Sequence, residues 1–275
     1  MDGNAIGART YYATHKDDAP FDQDLFISTF LRSILSTLVF LSDKRAIICI
    51  DSRKCWRKEI FPGYKASRKR EGRTGENYYK YISALNDICA ELKVCMPIGV
   101  VQREGYEADD LEAYFAALPG THVIVTTDHD MWQLSQPGRV VIYDNFIGDF
   151  VTVKDPKLHL HQLICLGSDD VPHVVPVDPK SEGPRKNKMF KFGEKTIEKM
   201  YDPTSAETCF IKKEFLEEQV SEKKLDKLET ITERYAFNKR LIDLSQSPVF
   251  KEIIEFKVRK FNLVDAQGLV VRFRV

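Results

Sequence analysis

The segment VIVTTDHDMWQL, residues 123–134, ends an apolar run with two aspartates one residue apart, Asp128 and Asp130. Carboxylates this close cannot both stay ionised unless a cation lies between them or both reach water, so the pair either diverges into solvent or holds a metal. Other acids stand at comparable places. Asp51 ends the apolar run RAIICID, and Glu107, Asp109 and Asp110 lie in EADD at the head of a helical stretch. Taken singly, each has an ordinary explanation: Asp51 could simply stop a strand, and the EADD acids could complement a helix dipole. Brought by three chain segments to one place, they favour a metal. The set is all carboxylate, and hard oxygen donors select Mg²⁺ or Mn²⁺ over zinc. His129, between the two aspartates, is expected to project to the opposite side and to be structural.

A second group of residues could touch a substrate. From Asp51 to Arg70 there are eight basic residues (Arg53, Lys54, Arg57, Lys58, Lys65, Arg68, Lys69, Arg70) against Asp51 and Glu59, with Trp56, Phe61 and Tyr64 interleaved. A solvated helix face would account for the charges alone. Basic residues mixed with aromatics suit a phosphate backbone and stacked bases.

These side chains need a scaffold to bring them together. DLFISTFLRSILSTLVFL (24–41) and YYKYISALNDICAELKV (78–94) have helical periodicity, whereas RAIICID, MPIGVVQ, HVIVTTD and RVVIYD read as short buried strands. EADDLEAYFAAL is a helix opened by acids and closed at Pro119-Gly120. Helices alternating with buried strands predict an α/β fold, a mostly parallel central sheet flanked by helices, over residues 1–155. Such a sheet binds ligands beyond the carboxyl ends of its strands, which is where Asp51, the EADD acids, Asp128 and Asp130 fall. Beyond residue 155 the strand signals thin out. HLHQLICLG, GEKTIEKMY, the stretch 208–235 and SPVFKEIIEFKVRKF (247–261) read as helices of a second, helical half at 156–275, and GLVVRFRV at the end could be a strand.

Composition bounds the function. The formal net charge of the 275 residues is zero, so contact with a polyanion must come from local patches. The six cysteines form no C-x-x-C pair and no signal-peptide pattern opens the chain, which predicts a reduced, cytoplasmic location. The longest apolar stretches are too short to cross a bilayer.

With these residues in view, CIDSRKCWRKEIFPGYKASRKR, GYEADDLEAY and VIVTTDHDMWQL resemble the signature segments of the flap-endonuclease superfamily of 5′-nucleases, a PIN-like fold. DGNA at 2–5 is similar to its first motif, and LGSDDVP followed by FGEKTIEKM resembles its aspartate loop and helix–three-turn–helix. The insert between Val177 and Phe192 and the segment ERYAFNKRLIDL look most like the ribonuclease H (5′ to 3′ exonuclease) of tailed phages. The resemblance implies a helical arch at about 53–80 that passes a single-stranded 5′ end, and a C-terminal DNA-binding region. It implies that Asp2, Asp51, Glu107, Asp109 and Asp128 surround a first Mg²⁺, and that Asp110, Asp130, Asp169 and Asp170 serve a second. Lys65 and Arg68 would be catalytic, gripping the scissile phosphate. Arg53, Arg57, Tyr64, Lys69, Arg70, Gly193, Lys195 and Thr196 would contact nucleic acid. The activity implied is Mg²⁺-dependent hydrolysis of DNA and RNA–DNA hybrids, removing 5′ flaps and RNA primers during replication, by a monomer in the cytoplasm (of an infected host cell if the chain is viral), with a single-strand-binding protein or sliding clamp as candidate partner.

Two departures from the pattern bear on metal ligands. Asp2 directly follows Met1, so the first strand that should carry it into the sheet is absent, and an in-frame apolar strand upstream would restore it. LGSDDVP is short, with Ser168 where the first loop aspartate is expected. A catalytically impaired binder of branched DNA is therefore a second reading, and a PIN-type ribonuclease a third. Haloacid-type phosphatases also use D-x-D, but after their first strand, whereas at least two strands precede it here.

Overall fold

The computed structural model describes residues 1–15, 19–42, 45–66, 75–167, 171, 174, 194–202, 225–258 and 263–273. Spacing explains its first elements. Helix α2 (Gln23–Phe40) buries Phe26, Ile27, Phe30, Leu31, Ile34, Thr37 and Leu38, and α4 (Glu76–Cys95) buries Tyr81, Ala84, Leu85, Ile88, Cys89, Leu92 and Cys95. Both sets follow the 3.6-residue period and give each helix one apolar face. Those faces meet α1 (Gly3–Thr14) and strands β1 (Ala46–Ile50) and β2 (Ile98–Gln102) in the largest core cluster. α3 (Trp56–Ile60) is a short turn of helix after β1. On the other side lies α5 (Ala108–Ala117), which rests on β1, β3 (His122–Val125) and the chain near residues 244–251.

The strands are parallel at the site. β1 pairs with β2 in register Ala46↔Ile98 to Ile50↔Gln102, and β3 pairs with β4 (Val140–Asp144) from His122↔Val140 to Val125↔Tyr143. β5 (Asp149–Val151) adds an antiparallel edge to β4. The two sheets are separate, and a single residue joins them. Asp2 N donates to the Val125 carbonyl (3.1 Å), Cys49 N donates to the Met1 carbonyl (2.9 Å), and Asp2 forms a parallel bridge with Cys49. Asp2 thereby reaches the sheet's carboxyl edge. Glycine at position 3 permits this approach, because a Cβ there would collide with Ile50 Cδ1 and come within 2.7 Å of Ile48 Cγ2.

The second half is helical where described. α6 (Pro156–Leu166) starts on Asp155, whose side chain accepts from Lys157 N and Leu158 N, with proline in the first turn. α7 (Glu194–Met200) and α8 (Leu225–Ile242) pack on α6 around Ile164, Ile197, Ile231 and Tyr235. The expected helix over 247–261 is instead a 3-10 turn at Pro248–Lys251 followed by irregular chain to 258. That chain is held by tertiary contacts: Tyr114 Oη accepts from Ile254 N (3.3 Å) and Phe256 packs edge-on against Phe115. Residues 268–273 of the terminal run read as a possible strand belong instead to α9 (Leu263–Phe273), which buries Ala266, Leu269 and Phe273 against α2 and α4. No helix among the described residues is long and apolar enough to cross a membrane.

Candidate metal centre at the sheet edge

The termini of β1, β3 and α5, together with residue 2, place the acids. Asp51 follows β1 and its Oδ1 accepts from Ala108 N at 2.8 Å, while its own N–H donates to Asn4 Oδ1 at 2.7 Å. The end of β1 is thereby tied to the first turns of both α1 and α5. Asp2 caps α1, its Oδ1 accepting from Ala5 N at 2.8 Å. Asp128 follows β3 and accepts from Asp130 N at 2.8 Å, which starts the 3-10 helix His129–Leu134. Every one of these acids also takes up an orphan N–H of a helix start, so its position is fixed by backbone.

Crowding has electrostatic consequences. Burial, then the charges of Glu112, Asp51 and Asp128, pushes the Asp2 carboxyl up to about 8. Burial, then Asp2, raises Asp109 well above the ordinary carboxylate range, against the pull of Lys65. Asp130, at the solvent rim, is pushed up to about 6 by lost hydration and then by Asp128. Asp2, Asp109 and Glu112 each offer an oxygen, and these atoms all lie within 4.8 Å of one another. An all-oxygen donor set that resists ionisation fits a divalent cation, which supplies the missing positive charge.

Beside this cluster lies an ion-pair frame. Arg57, only 2% exposed, donates from Nη1 and Nη2 to both oxygens of Asp110 (2.9 Å each), from Nη1 to Glu107 Oε2 (3.0 Å) and from Nε to the Leu241 carbonyl (2.7 Å). Trp56 Nε1 and Glu107 N also donate to Asp110, at 3.2 and 3.0 Å. Lys65 Nζ donates to Glu107 Oε1 at 2.5 Å and Tyr64 Oη to Oε2 at 3.2 Å. Burial works upward on Glu107, yet Lys65 and Arg57 hold its pKa down at about 2. Lys65 has φ +54°, left-handed backbone that costs a non-glycine residue about 1 kcal/mol or more.

The structure thus gathers Asp2, Asp51, Asp109, Asp128 and Asp130 at one sheet edge, close enough for their charges to act on one another. It sets Glu107 and Asp110 next to it as partners of cations. Arg57 faces inward to those acids rather than outward to a polyanion, because two carboxylates buried without a counter-charge would be costly. Arg53 and Lys195 are exposed, and Tyr64 and Lys65 half-buried. Arg68, Lys69, Arg70, Asp169, Asp170, Gly193 and the Thr196 side chain lie outside the described residues. Glu112 was not singled out from sequence. It is 4% exposed, its carboxylate lies 3.1 Å from the Met1 amine, and it joins the cluster one helical turn after Asp109. That i, i+3 spacing was the available signal.

A pH dependence follows from these shifts. A carboxyl whose pKa is raised by folding keeps its proton in the fold after the open chain has lost it, so its contribution is present at low pH and lost as pH rises. The window runs from the ordinary carboxylate range to about 6 for Asp130 and about 8 for Asp2. The melting temperature in chelator is expected to fall from pH 5 to pH 8, and the gain on adding Mg²⁺ to grow over the same range. Scanning fluorimetry at four pH values checks this; a Mg²⁺ effect independent of pH would show that the ion does not displace these protons.

Comparison with known proteins adds the lineage. The family described as 5′-3′ exonuclease, N-terminal resolvase-like domain, matches residues 1–161. A flap endonuclease Xni from Shewanella pealeana is 33% identical over 140 residues, 46% of this chain and 51% of the relative. A 5′-3′ exonuclease from Streptomyces coelicolor is 34% identical over 102 residues, 34% of each chain. The matched region is thus about half of the first relative's length and a third of the second's. Among solved structures, a bacteriophage T5 protein co-crystallised with metal ions superposes with a TM-score of 0.62 at 19% identity, covering 99% of this chain and 94% of that one. The T5 flap endonuclease in a complex with DNA and metal ions gives 0.61 at 17% identity, covering 100% and 98%. At such identities these two establish a shared fold.

Proposed function

This chain belongs to the 5′-3′ exonuclease N-terminal, resolvase-like family, and from that premise we propose that it is a divalent-metal-dependent 5′-nuclease acting as exonuclease and flap endonuclease on DNA and RNA–DNA hybrids. One observation carries the reading: Asp2, Asp51, Asp109 and Asp128, from four separate places in the chain, come close enough for their charges to act on one another, and two of them are driven toward the protonated form. Asp2, Asp51, Asp109, Asp128 and Glu112 would hold one ion and Asp130 would face a second. Two bound Mg²⁺ or Mn²⁺ ions would supply an activated water and a stabilised 3′ leaving oxygen.

The chain's own residues do the positioning. Asp51 and Asp128 have their rotamers set by the amides they cap. Lys65, strained and resting on Glu107, is a half-buried cation whose charge reaches Asp109 and Asp130, placed for a scissile phosphate to engage, and Tyr64 stands beside it. Arg57 keeps Glu107 charged and holds Asp110 in place through both its oxygens, so the floor of the site is rigid before substrate arrives. Removal of flaps and RNA primers in replication is the role such an activity would serve.

A 5′-labelled flap DNA and an RNA–DNA hybrid test this. Short 5′ oligonucleotides should be released in Mg²⁺ and none in chelator; undiminished cutting in chelator would overturn the metal reading. Asp110 has both oxygens taken by Arg57, which favours a second reading, a branched-DNA binder with an incomplete metal set. Tight binding of the flap with no release in Mg²⁺ or Mn²⁺ would select it.

A further inference from the structure

The D-x-D segment carries rings as well as carboxylates. Three residues per turn put His129 and Trp132 on one side of the 3-10 helix His129–Leu134, and their rings pack as a tilted pair with centres 4.2 Å apart and planes 31° apart. His159 of α6 extends the stack, its ring 5.2 Å from Trp132 at 36°. In its Nε2–H tautomer His159 donates to the His129 carbonyl at 2.8 Å, so backbone fixes the third ring to the first. Burial, its largest influence, holds the His159 pKa below the usual value, which favours the neutral ring that this bond needs. Trp132 is anchored against the apolar cluster around Ile124, Ile142 and Leu244, whereas His129 is exposed. The outermost ring therefore has one face backed by indole and lies between Asp128 and Asp130 in the chain.

We propose that His129, Trp132 and His159 form a stacking platform for a nucleobase of the strand being cut, next to the scissile phosphate, with His129 as the ring the base lies on. The inference rests on the nuclease reading and adds to it a contact to the base rather than to the backbone. A ring already packed against indole, on backbone whose carbonyl accepts from His159, has little freedom left to lose on binding. Stacking on it tolerates any base, since every base offers a π face. The platform accordingly requires a base but does not read its identity.

The test uses the full chain in chelator, where nothing is cut. Binding of a labelled flap DNA is followed by anisotropy and by tryptophan emission, against the same DNA with abasic sites around the junction. Intact DNA should quench an emission component that is missing in Trp132→Phe, and abasic DNA should bind about tenfold more weakly without quenching. His129→Ala should lose about the same tenfold for intact DNA only, and His129→Phe should restore it. Equal binding of intact and abasic DNA, or unchanged affinity in His129→Ala, overturns the platform alone. Failure to bind either DNA overturns the nuclease reading and the platform with it.

Discussion

Asp128→Asn is expected to lower cleavage of a flap substrate more than about 100-fold, the upper end of what losing a group behind a metal ligand costs, while raising the melting temperature of the protein in chelator. The two effects have one cause. Asparagine keeps an Oδ1 that can accept from Asp130 N, now at 2.8 Å, so the 3-10 helix keeps its start, and Asn is as good a cap as Asp. Only the charge is lost. That charge raises the pKa values of Asp2, Asp109, Glu112 and Asp130, and its removal relieves all four. Stability therefore rises where affinity for a divalent ion falls, and the gain in melting temperature on adding Mg²⁺ should shrink. Paired measurements of rate and thermal shift decide the matter: if Asp128→Asn lost both activity and stability, the charge at position 128 would support the fold rather than strain it, and the carboxylate would be no part of a metal shell.

That the carboxylates could be picked out before any coordinates existed has a physical reason. Apolar runs of strand length ending in Asp51 and Asp128 fix both the element and its polarity, and parallel strands send such ends to one edge. Direction was not legible in the basic segment. Arg53, Arg57 and Lys65 look alike in sequence, but Arg57 turns inward because its Nε meets the Leu241 carbonyl, 184 positions away, and its fork meets Asp110. No local pattern reports a partner at that distance. The same limit explains residues 253–258, whose helix-like spacing yields to contacts with Tyr114, Phe115 and Gly99. Glu112 was hidden for a different reason. It lies among Leu111, Ala113 and Phe115, buried with them in the same helix, and a buried acid there makes sense only once Asp2 and Asp109 are seen across from it.

The frame behind the site makes the other large prediction. Arg57→Met is expected to destabilise the protein by about 3–5 kcal/mol, because it leaves buried carboxylates without their counter-charge. Against a total stability of about 5–15 kcal/mol for a typical domain, this is a large share of what holds the fold together. Asp110 is 0% exposed and Glu107 6%, so neither can turn to water without moving the start of α5. Lysine is no substitute: Arg57→Lys supplies a charge but lacks the planar fork that grips both Asp110 oxygens while Nε reaches Leu241. A second change separates charge from packing. In Arg57→Met with Asp110→Leu one uncompensated acid is removed and the space stays filled, so the double variant should be more stable than Arg57→Met alone by at least about 1 kcal/mol, a coupling expected of residues in direct contact. Denaturant melts of the four proteins in the cycle measure it. Additive effects would mean that the two side chains do not depend on each other. Hydrogen exchange supplies an independent reading, because the Leu241 carbonyl is the tie from the helical half to α3: protection in residues 238–244 should drop in Arg57→Met even under conditions where the α/β core stays folded.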